Sequence, residues 1–172
     1  MTSVRKHSAP LVASIAFLLA TLGLTGTAAA APPTLASGAF TTTSATFNST
    51  REAGGNTIFD LTGTLSYTGT FTGTSTVRGI LIIHADGSAN FHDVEIFTGT
   101  VNGVPGTLTY NVAGTGRPGP SAGTFITQAT QVIVSGTGDL ANLHGVLKQV
   151  GTVLDPAVGP FGTYTGTIHS DD

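Results

Sequence analysis

Three residues of complementary chemistry, Arg78, Glu95 and Tyr110, lie at spacings that two tight turns would bring together. Asp86-Gly87 and Asn102-Gly103 are typical of two-residue hairpin loops, because both central positions of a type I′ turn need a positive φ angle. Counting outward from these loops pairs Arg78 with Glu95, and Glu95 with Tyr110, on three neighbouring strands. The sequence therefore predicts a guanidinium, a carboxylate and a phenol in one row across a sheet.

Alternation in the strand that carries Tyr110 predicts that this row faces inward. Leu108, Tyr110 and Val112 share one face, whereas the intervening residues are polar, and the apolar face of a strand packs on the core. The same register also turns Ile80 and Ile82 inward. A slip of one residue would send the row to the solvent. The candidate ligand-binding residues on this face are Arg78, Phe91, Asp93, Glu95, Phe97, Leu108 and Tyr110.

Two interpretations of the charged row stay open. Burying an unpaired charge is prohibitive, whereas a hydrogen-bonded ion pair is tolerated. Arg78 and Glu95 are in one interpretation an ion pair that plugs the interior, with Asp93 beside them. In the other they face a ligand, and Glu95, Tyr110 and Arg78 are the candidate catalytic residues.

Other kinds of site find little support in the sequence. The predicted register points His84 and His92 to opposite faces, so no metal site is expected. There is no cysteine, and no Gly-x-Ser-x-Gly elbow accompanies a Ser-His-Asp set. The stretch 136–138 has the Gly-x-Gly start of a dinucleotide loop but lacks a βαβ unit around it. No cofactor is predicted.

The chain of 172 residues begins with the features of an export signal. Arg5 and Lys6 precede the apolar run Leu11–Leu24, and Ala28-Ala29-Ala30 supplies small residues for cleavage. We therefore expect a signal peptide over 1–30 and a secreted, extracellular protein. The alternative is a retained membrane anchor, although the apolar run is short for a bilayer span.

Composition limits the partners of the remaining chain. Beyond residue 30 it has four basic residues, Arg51, Arg78, Arg117 and Lys148, against nine acidic ones, and the basic residues do not cluster. This charge pattern argues against nucleic acid and anionic membrane surfaces as partners. Without cysteine, burial and hydrogen bonds must hold the domain together. The sequence does not indicate an oligomeric state.

Short runs rich in Thr, Val, Ile and Phe, separated by Gly, predict an all-β domain over 38–170, after a flexible segment at 31–37. Frequent glycines suit a sheet that curls shut, so we predict a single antiparallel eight-stranded barrel, with a β-sandwich as the alternative. One short helical turn is expected near 139–143, with Asp139 as its N-cap. The predicted strands are 39–47, 56–67, 70–85, 88–101, 104–114, 122–134, 145–153 and 161–169.

Several of these segments resemble a family of uncharacterised bacterial proteins. The resemblance rests on 85–91, Glu95, 98–100, Gly103 and Gly106-Thr107, and most specifically on 135–140 with Leu143 and Gly145. It implies a barrel similar to that of allene oxide cyclase and of plant dirigent proteins. In the family, the position of Glu95 usually holds Glu, whereas that of Arg78 often holds an acid. Fold similarity of this kind does not transfer function.

Three functions follow as hypotheses. The leading one is non-catalytic binding of a small, largely apolar molecule inside the barrel. The second is a cyclase or isomerase of the allene oxide cyclase or dirigent type, with Glu95 as base or electrostatic stabiliser, Tyr110 as donor and Arg78 tuning Glu95. The third is a structural or interaction protein with a filled barrel. A cavity would favour the first two, and catalysis also needs an unpaired acid or base beside it.

Overall fold

The computed structural model describes residues 32–155 and 157–171, which form a closed barrel of eight antiparallel strands, each paired with its neighbours in sequence order. The all-β barrel prediction is confirmed. The predicted signal peptide at 1–30 lies outside the described residues. None of the described residues belongs to a helix that could cross a membrane. The strands are β1 (Thr34–Ala53), β2 (Asn56–Gly69), β3 (Phe71–Ile83), β4 (Ala89–Val101), β5 (Val104–Pro118), β6 (Phe125–Gly138), β7 (Leu143–Val153) and β8 (Phe161–Ser170).

Strand β1 closes the barrel because it pairs with both ends of the sheet. Thr34 to Thr41 pair with β8, and Gly38 to Ala53 pair with β2. Two register shifts, between Thr42 and Ser44 and between Phe47 and Ser49, interrupt the β1–β2 ladder, and bulges of this kind bend a strand. The strand starts at Thr34, so most of the segment predicted to be flexible is paired with β8.

The turn at Asn102-Gly103 sets the predicted register of β4 and β5. Asn102 and Gly103 have φ angles of 50° and 86°, as a type I′ turn requires. Val101 pairs with Val104, and Glu95 pairs with Tyr110. The predicted pairing of these two strands is confirmed.

The first hairpin has a longer loop than predicted. Asp86 lacks the positive φ that a type I′ turn needs, and only Gly87 has one, at 80°. Gly87 N donates to His84 O over 2.9 Å, and His84 N donates to Ser88 O over 2.8 Å. The Asp86 carboxylate accepts hydrogen bonds from Ser88 N and Ser88 Oγ. The loop therefore holds three residues, as in a type I turn followed by a glycine bulge.

This additional loop residue shifts the β3–β4 register by one, so the predicted Arg78–Glu95 pair is wrong. Arg78 pairs with Val94, and Val77 pairs with Glu95. The Arg78 side chain lies on the outer wall, in a groove that it shares with Asp60 and His92. Ile80 is likewise exposed rather than inward-facing.

The two ends of the barrel carry different connections. We call the end with the turns at 69–70, 102–103 and 139–142 the closed end. We call the end with the loops at 54–55, 84–88, 119–124, 154–155 and 157–160 the open end. The region of the predicted helical turn consists of successive hydrogen-bonded turns, in which Leu140 N reaches Thr137 O and Leu143 N reaches Leu140 O. Leu140 is buried and packs on the core at the closed end.

Candidate functional site

A cavity of about 280 Å³ occupies the open half of the barrel interior. Strands β1 to β7 line it, together with Gly159 and Pro160 of the last loop. Its wall is almost entirely apolar, and the carboxyl groups of Asp93 and Glu95 are its only acidic groups among the described residues. The large apolar side chains of the wall are Phe40, Phe47, Phe59, Leu61, Leu65, Val77, Leu81, Ile83, Phe91, Val112, Phe125 and Val153.

The closed half of the interior is filled by aromatic side chains. The rings of Phe71 and Phe97 meet edge to face with centroids 5.8 Å apart, and Phe71 meets Tyr164 at 5.5 Å. The Tyr164 hydroxyl accepts a hydrogen bond from Phe71 N at 2.9 Å and donates to Thr68 O at 3.0 Å. Edge-to-face geometry and satisfied hydroxyls are what buried aromatic clusters favour. Among the described residues, this half is therefore a packed aromatic core.

A belt of hydrogen-bonded polar side chains separates the two halves. We call Tyr67, Ser75, Glu95, Gln131 and Gln149 the polar belt. Gln149 Nε2 donates to Gln131 Oε1 at 2.9 Å and to Tyr67 Oη at 3.1 Å. All five residues are buried, and each comes from a different strand, so the belt crosses most of the barrel. Its members donate hydrogen bonds to one another, and these bonds offset the free-energy cost of burying polar groups.

Glu95 is held on both of its carboxylate oxygens. Ser75 Oγ donates to Oε1 at 2.5 Å, and Gln131 Nε2 donates to Oε2 at 3.2 Å. Burial raises the pKa of Glu95, while hydrogen bonding with Ser75 and Tyr67 lowers it. Because each oxygen of Glu95 already accepts a hydrogen bond from the protein, this carboxyl group has less capacity left for a ligand than a carboxyl with an unpaired oxygen.

Asp93 lies two residues from Glu95 on β4, nearer the open end. It differs from Glu95 in its hydrogen bonding. Its Oδ1 is buried, and it has no hydrogen-bond partner among the described residues. Burial, reinforced by the charge of Glu95, raises the pKa of Asp93 to about 7. No basic side chain within 32–155 or 157–171 forms an ion pair with either acid. Asp93 is therefore the acid of the cavity whose hydrogen-bonding capacity the described residues leave partly unused.

Gly79 makes room for this carboxyl group. Gly79 pairs with Asp93 across β3 and β4. A Cβ atom at position 79 would lie 1.8 Å from Asp93 Oδ1 and 2.5 Å from His92 O. Any other residue at 79 would displace the Asp93 side chain, so the glycine fixes where the carboxyl group sits.

The seven predicted binding residues fall into three groups. Phe91, Asp93 and Glu95 line the cavity. Phe97, Leu108 and Tyr110 point inward as predicted but belong to the packed core, and Arg78 lies outside the barrel. Burial and the charge of Glu95 raise the pKa of Tyr110. The catalytic trio is therefore not assembled, because the guanidinium does not reach Glu95.

Sequence reasoning missed the rest of the polar belt. Gln131 and Gln149 occupy inward positions of β6 and β7, where apolar residues alternate on either side of them. A polar residue in phase with the apolar face of a strand is the signal that could have identified them. Tyr67 pairs with Gly73 near the closed end, and no tight Asx-Gly turn marks the β2–β3 connection from which its register could be counted.

The histidines of the described ranges do not form a metal site. His84 Nδ1 is 3.0 Å from Asn56 Oδ1, and His84 Nε2 is 2.9 Å from Asn90 Nδ2. His92 is exposed on the outer wall. Within the described ranges no group of three or more His, Asp or Glu residues could hold a metal ion.

Comparison with known proteins assigns the chain to a sequence family. Residues 36–152 match the family described as "Protein of unknown function (DUF3224)". The matched segment includes the strands that carry Asp93, Glu95 and most of the cavity wall. No curated protein matches the sequence.

Proposed function

Because the chain belongs to the DUF3224 family of proteins of unknown function, we propose from its own cavity that it binds a small, largely apolar molecule in the open half of the barrel. The cavity carries this proposal. It measures about 280 Å³, just below the range of about 300–1,000 Å³ typical of ligand pockets. Its wall is apolar with a few polar groups, which is the usual composition of such pockets.

The division of the interior supports binding over a filled, purely structural barrel. The closed half shows that this chain has enough large side chains to fill the interior where packing alone is required. In the open half, small residues such as Ala45, Ala89 and Ala129 occupy inward positions. A space kept open by small residues beside large apolar ones favours a bound molecule as its occupant.

We also propose the finer assignments that the sequence suggested. A closed antiparallel barrel with an internal cavity supports a relationship to the allene oxide cyclase and dirigent barrels. Export to the extracellular space remains a prediction from residues 1–30. Both assignments are compatible with binding and neither identifies the ligand.

Binding is tested with N-phenylnaphthylamine, an uncharged fluorophore whose emission rises in apolar surroundings. We expect the purified protein to raise its emission saturably and n-octanol to reverse the effect. Ala129→Phe, which fills the cavity, should abolish the signal, whereas Ala113→Phe on the outer face of β5 should retain it. Folded wild-type protein that leaves the emission unchanged would overturn the proposal.

A second candidate function is an isomerase, and the free carboxyl group of Asp93 favours it. The acid–base residue would be Asp93 rather than Glu95, because both oxygens of Glu95 are engaged. A carboxyl with a pKa of about 7 can both accept and return a proton near neutral pH. The carboxylate would take a proton from the carbon between a carbonyl group and a carbon–carbon double bond, and the carboxylic acid so formed would return a proton to the far carbon of the resulting dienolate, which shifts the double bond.

Hydrogen exchange tests this chemistry without knowledge of the substrate. Cyclohexenone in deuterated buffer should exchange its α-protons faster with wild-type protein than with buffer, as followed by proton NMR. Asp93→Asn should remove the acceleration, and Asp60→Asn, on the outer wall, should keep it. Equal exchange with wild-type protein and buffer would reject this candidate while leaving binding intact.

A further inference from the structure

We propose that the molecule held in the cavity is a lipophilic amine, whose ammonium group pairs with the Asp93 carboxylate while its hydrocarbon part fills the apolar space towards the open end. This inference rests on the proposed binding function and specifies its ligand class. It follows from three features of the interior: the sign of its charge, the position of the free acid, and the apolar wall beyond it.

The charge inside the barrel is of one sign. Asp93 and Glu95 both line the cavity, and no Lys, Arg or His is among the described residues of its wall. Arg78, the nearest basic residue along β3, points to the outer wall. A buried carboxylate without a cation is strongly disfavoured. Because the described wall contains no basic side chain, a cationic ligand would supply the compensating positive charge.

The free acid is placed to receive that cation. Glu95 is already bound by Ser75 and Gln131, whereas Asp93 Oδ1 has no partner in the described part of the chain. Gly79 holds the Asp93 carboxyl in place by leaving space beside it. An ammonium group donates up to three hydrogen bonds and would pair with the Asp93 carboxyl group where it lines the cavity.

The apolar wall accounts for the rest of the ligand. From Asp93 towards the open end the cavity is bounded by aromatic and aliphatic side chains such as Phe59, Leu81 and Phe91. A small hydrophilic amine would gain nothing from this surface, whereas a hydrocarbon chain gains roughly 0.8 kcal/mol for each buried methylene group. The ligand class is therefore an amine with an extended apolar body.

Proton binding to Asp93 should control the affinity for such an amine. In the part of the chain that the structure describes, three titratable side chains face this part of the interior: Glu95 on β4, Tyr110 on β5 and Tyr67 on β2. Strands β3 and β6 contribute Gly79, Ser75 and Gln131, which do not titrate. With the pKa of Asp93 at about 7 in the free protein and that of a free alkylamine near 10.4, both partners are charged before binding only between these values, so the amine should bind most tightly there.

Displacement of N-phenylnaphthylamine by a matched series tests the inference. The competitors are n-octylamine, n-octanol and octanoic acid, which share a chain and differ at its end. At about pH 8 we expect the amine to bind about tenfold more tightly than the alcohol, since hydrogen bonds between charged groups are about twice as strong as neutral ones. The acid should bind most weakly. Lowering the pH to about 6 should weaken the amine and leave the alcohol unchanged.

Two variants separate this inference from the function on which it rests. Asp93→Asn should reduce the amine to the affinity of the alcohol and remove the pH dependence, whereas Asp60→Asn should preserve both. Binding of the fluorophore with equal affinities for amine and alcohol would overturn the amine inference but retain the binding function. Failure of wild-type protein to bind the fluorophore would overturn both.

Discussion

The two halves of the barrel interior are built from the same strands, but one half is packed with side chains and the other encloses a cavity. In the closed half, Phe71, Phe97 and Tyr164 pack edge to face and are almost fully buried. In the open half, Phe47 and Phe59 line a cavity, and Phe47 remains 42% exposed. Because a close-packed core leaves few voids larger than a water molecule, the open half is the part of this barrel that stability alone does not explain.

The polar belt marks where one half gives way to the other. Its side chains satisfy one another through direct hydrogen bonds, as between Gln149 and Gln131. Asp93 lies beyond the belt on the cavity side and leaves one oxygen unpaired. The packed side chains that stabilise the fold are thus concentrated on the closed side, and the unpaired polar group lies on the open side. Substitutions on the two sides should therefore change the free energy of unfolding by different amounts.

The largest contrast is expected between two phenylalanines. Phe97→Ala should lower the free energy of unfolding by about 3–5 kcal/mol, because it removes a buried ring from a packed core. Phe59→Ala should cost at most about 1–2 kcal/mol, because part of its ring faces the existing cavity rather than other side chains. Urea denaturation of both variants measures the difference. Equal losses would mean that the open half is packed as tightly as the closed half.

Asp93→Asn should stabilise the protein in a pH-dependent way. The pKa of Asp93 is raised from 3.8 to about 7 in the folded state, so its stability contribution is full below about pH 4 and is lost as the pH rises through 7. At about pH 8 the neutral amide should therefore be more stable than wild type by about 4 kcal/mol, at 1.36 kcal/mol for each unit of pKa shift.

The control for this prediction is the acid range. Near pH 4 the Asp93 carboxyl is protonated in the folded protein, so Asp93→Asn and wild type should unfold at similar urea concentrations. Denaturation curves at several pH values measure both limits. A variant that is destabilised at about pH 8 would show that the ionised carboxylate has a favourable partner inside the barrel.

Ser75→Ala tests the belt itself and should have the smallest of the three effects. It leaves Glu95 Oε1 without its hydrogen bond from Ser75 Oγ, and an unsatisfied buried acceptor costs about 1–3 kcal/mol. Thr74→Ala, at the adjacent outward position, should change stability by less than about 0.5 kcal/mol. Thermal unfolding compares the two, and equal shifts would remove the belt as a distinct stabilising layer.

The barrel was predictable because strand alternation and turn residues agree along most of the chain. Asn102-Gly103 alone set the register that pairs Glu95 with Tyr110. Asp86-Gly87 looks equivalent in sequence, but Asp86 uses its carboxylate to hold Ser88 and forms a three-residue loop instead. Because strands alternate with a period of two, this one residue moved Arg78 from the inside to the outside.

The site was only partly predictable for the same reason. Asp93 and Glu95 were identified because their strand carries the reliable turn. Which half of the interior is open depends on long-range pairings between strands such as β6, β7 and β8, and no local pattern reports how side chains from opposite walls meet. The orphan oxygen of Asp93 is likewise a product of packing, since it depends on Gly79 and on the absence of Arg78 from the interior.

A crystal structure of the protein with bound N-phenylnaphthylamine tests the central claim most directly. We predict electron density for the fluorophore inside the barrel, in contact with Phe59, Leu81 and Phe91, with the aromatic packing of the closed half unchanged. An open half collapsed onto its own side chains, with the fluorophore on the outer wall or absent, would contradict the account.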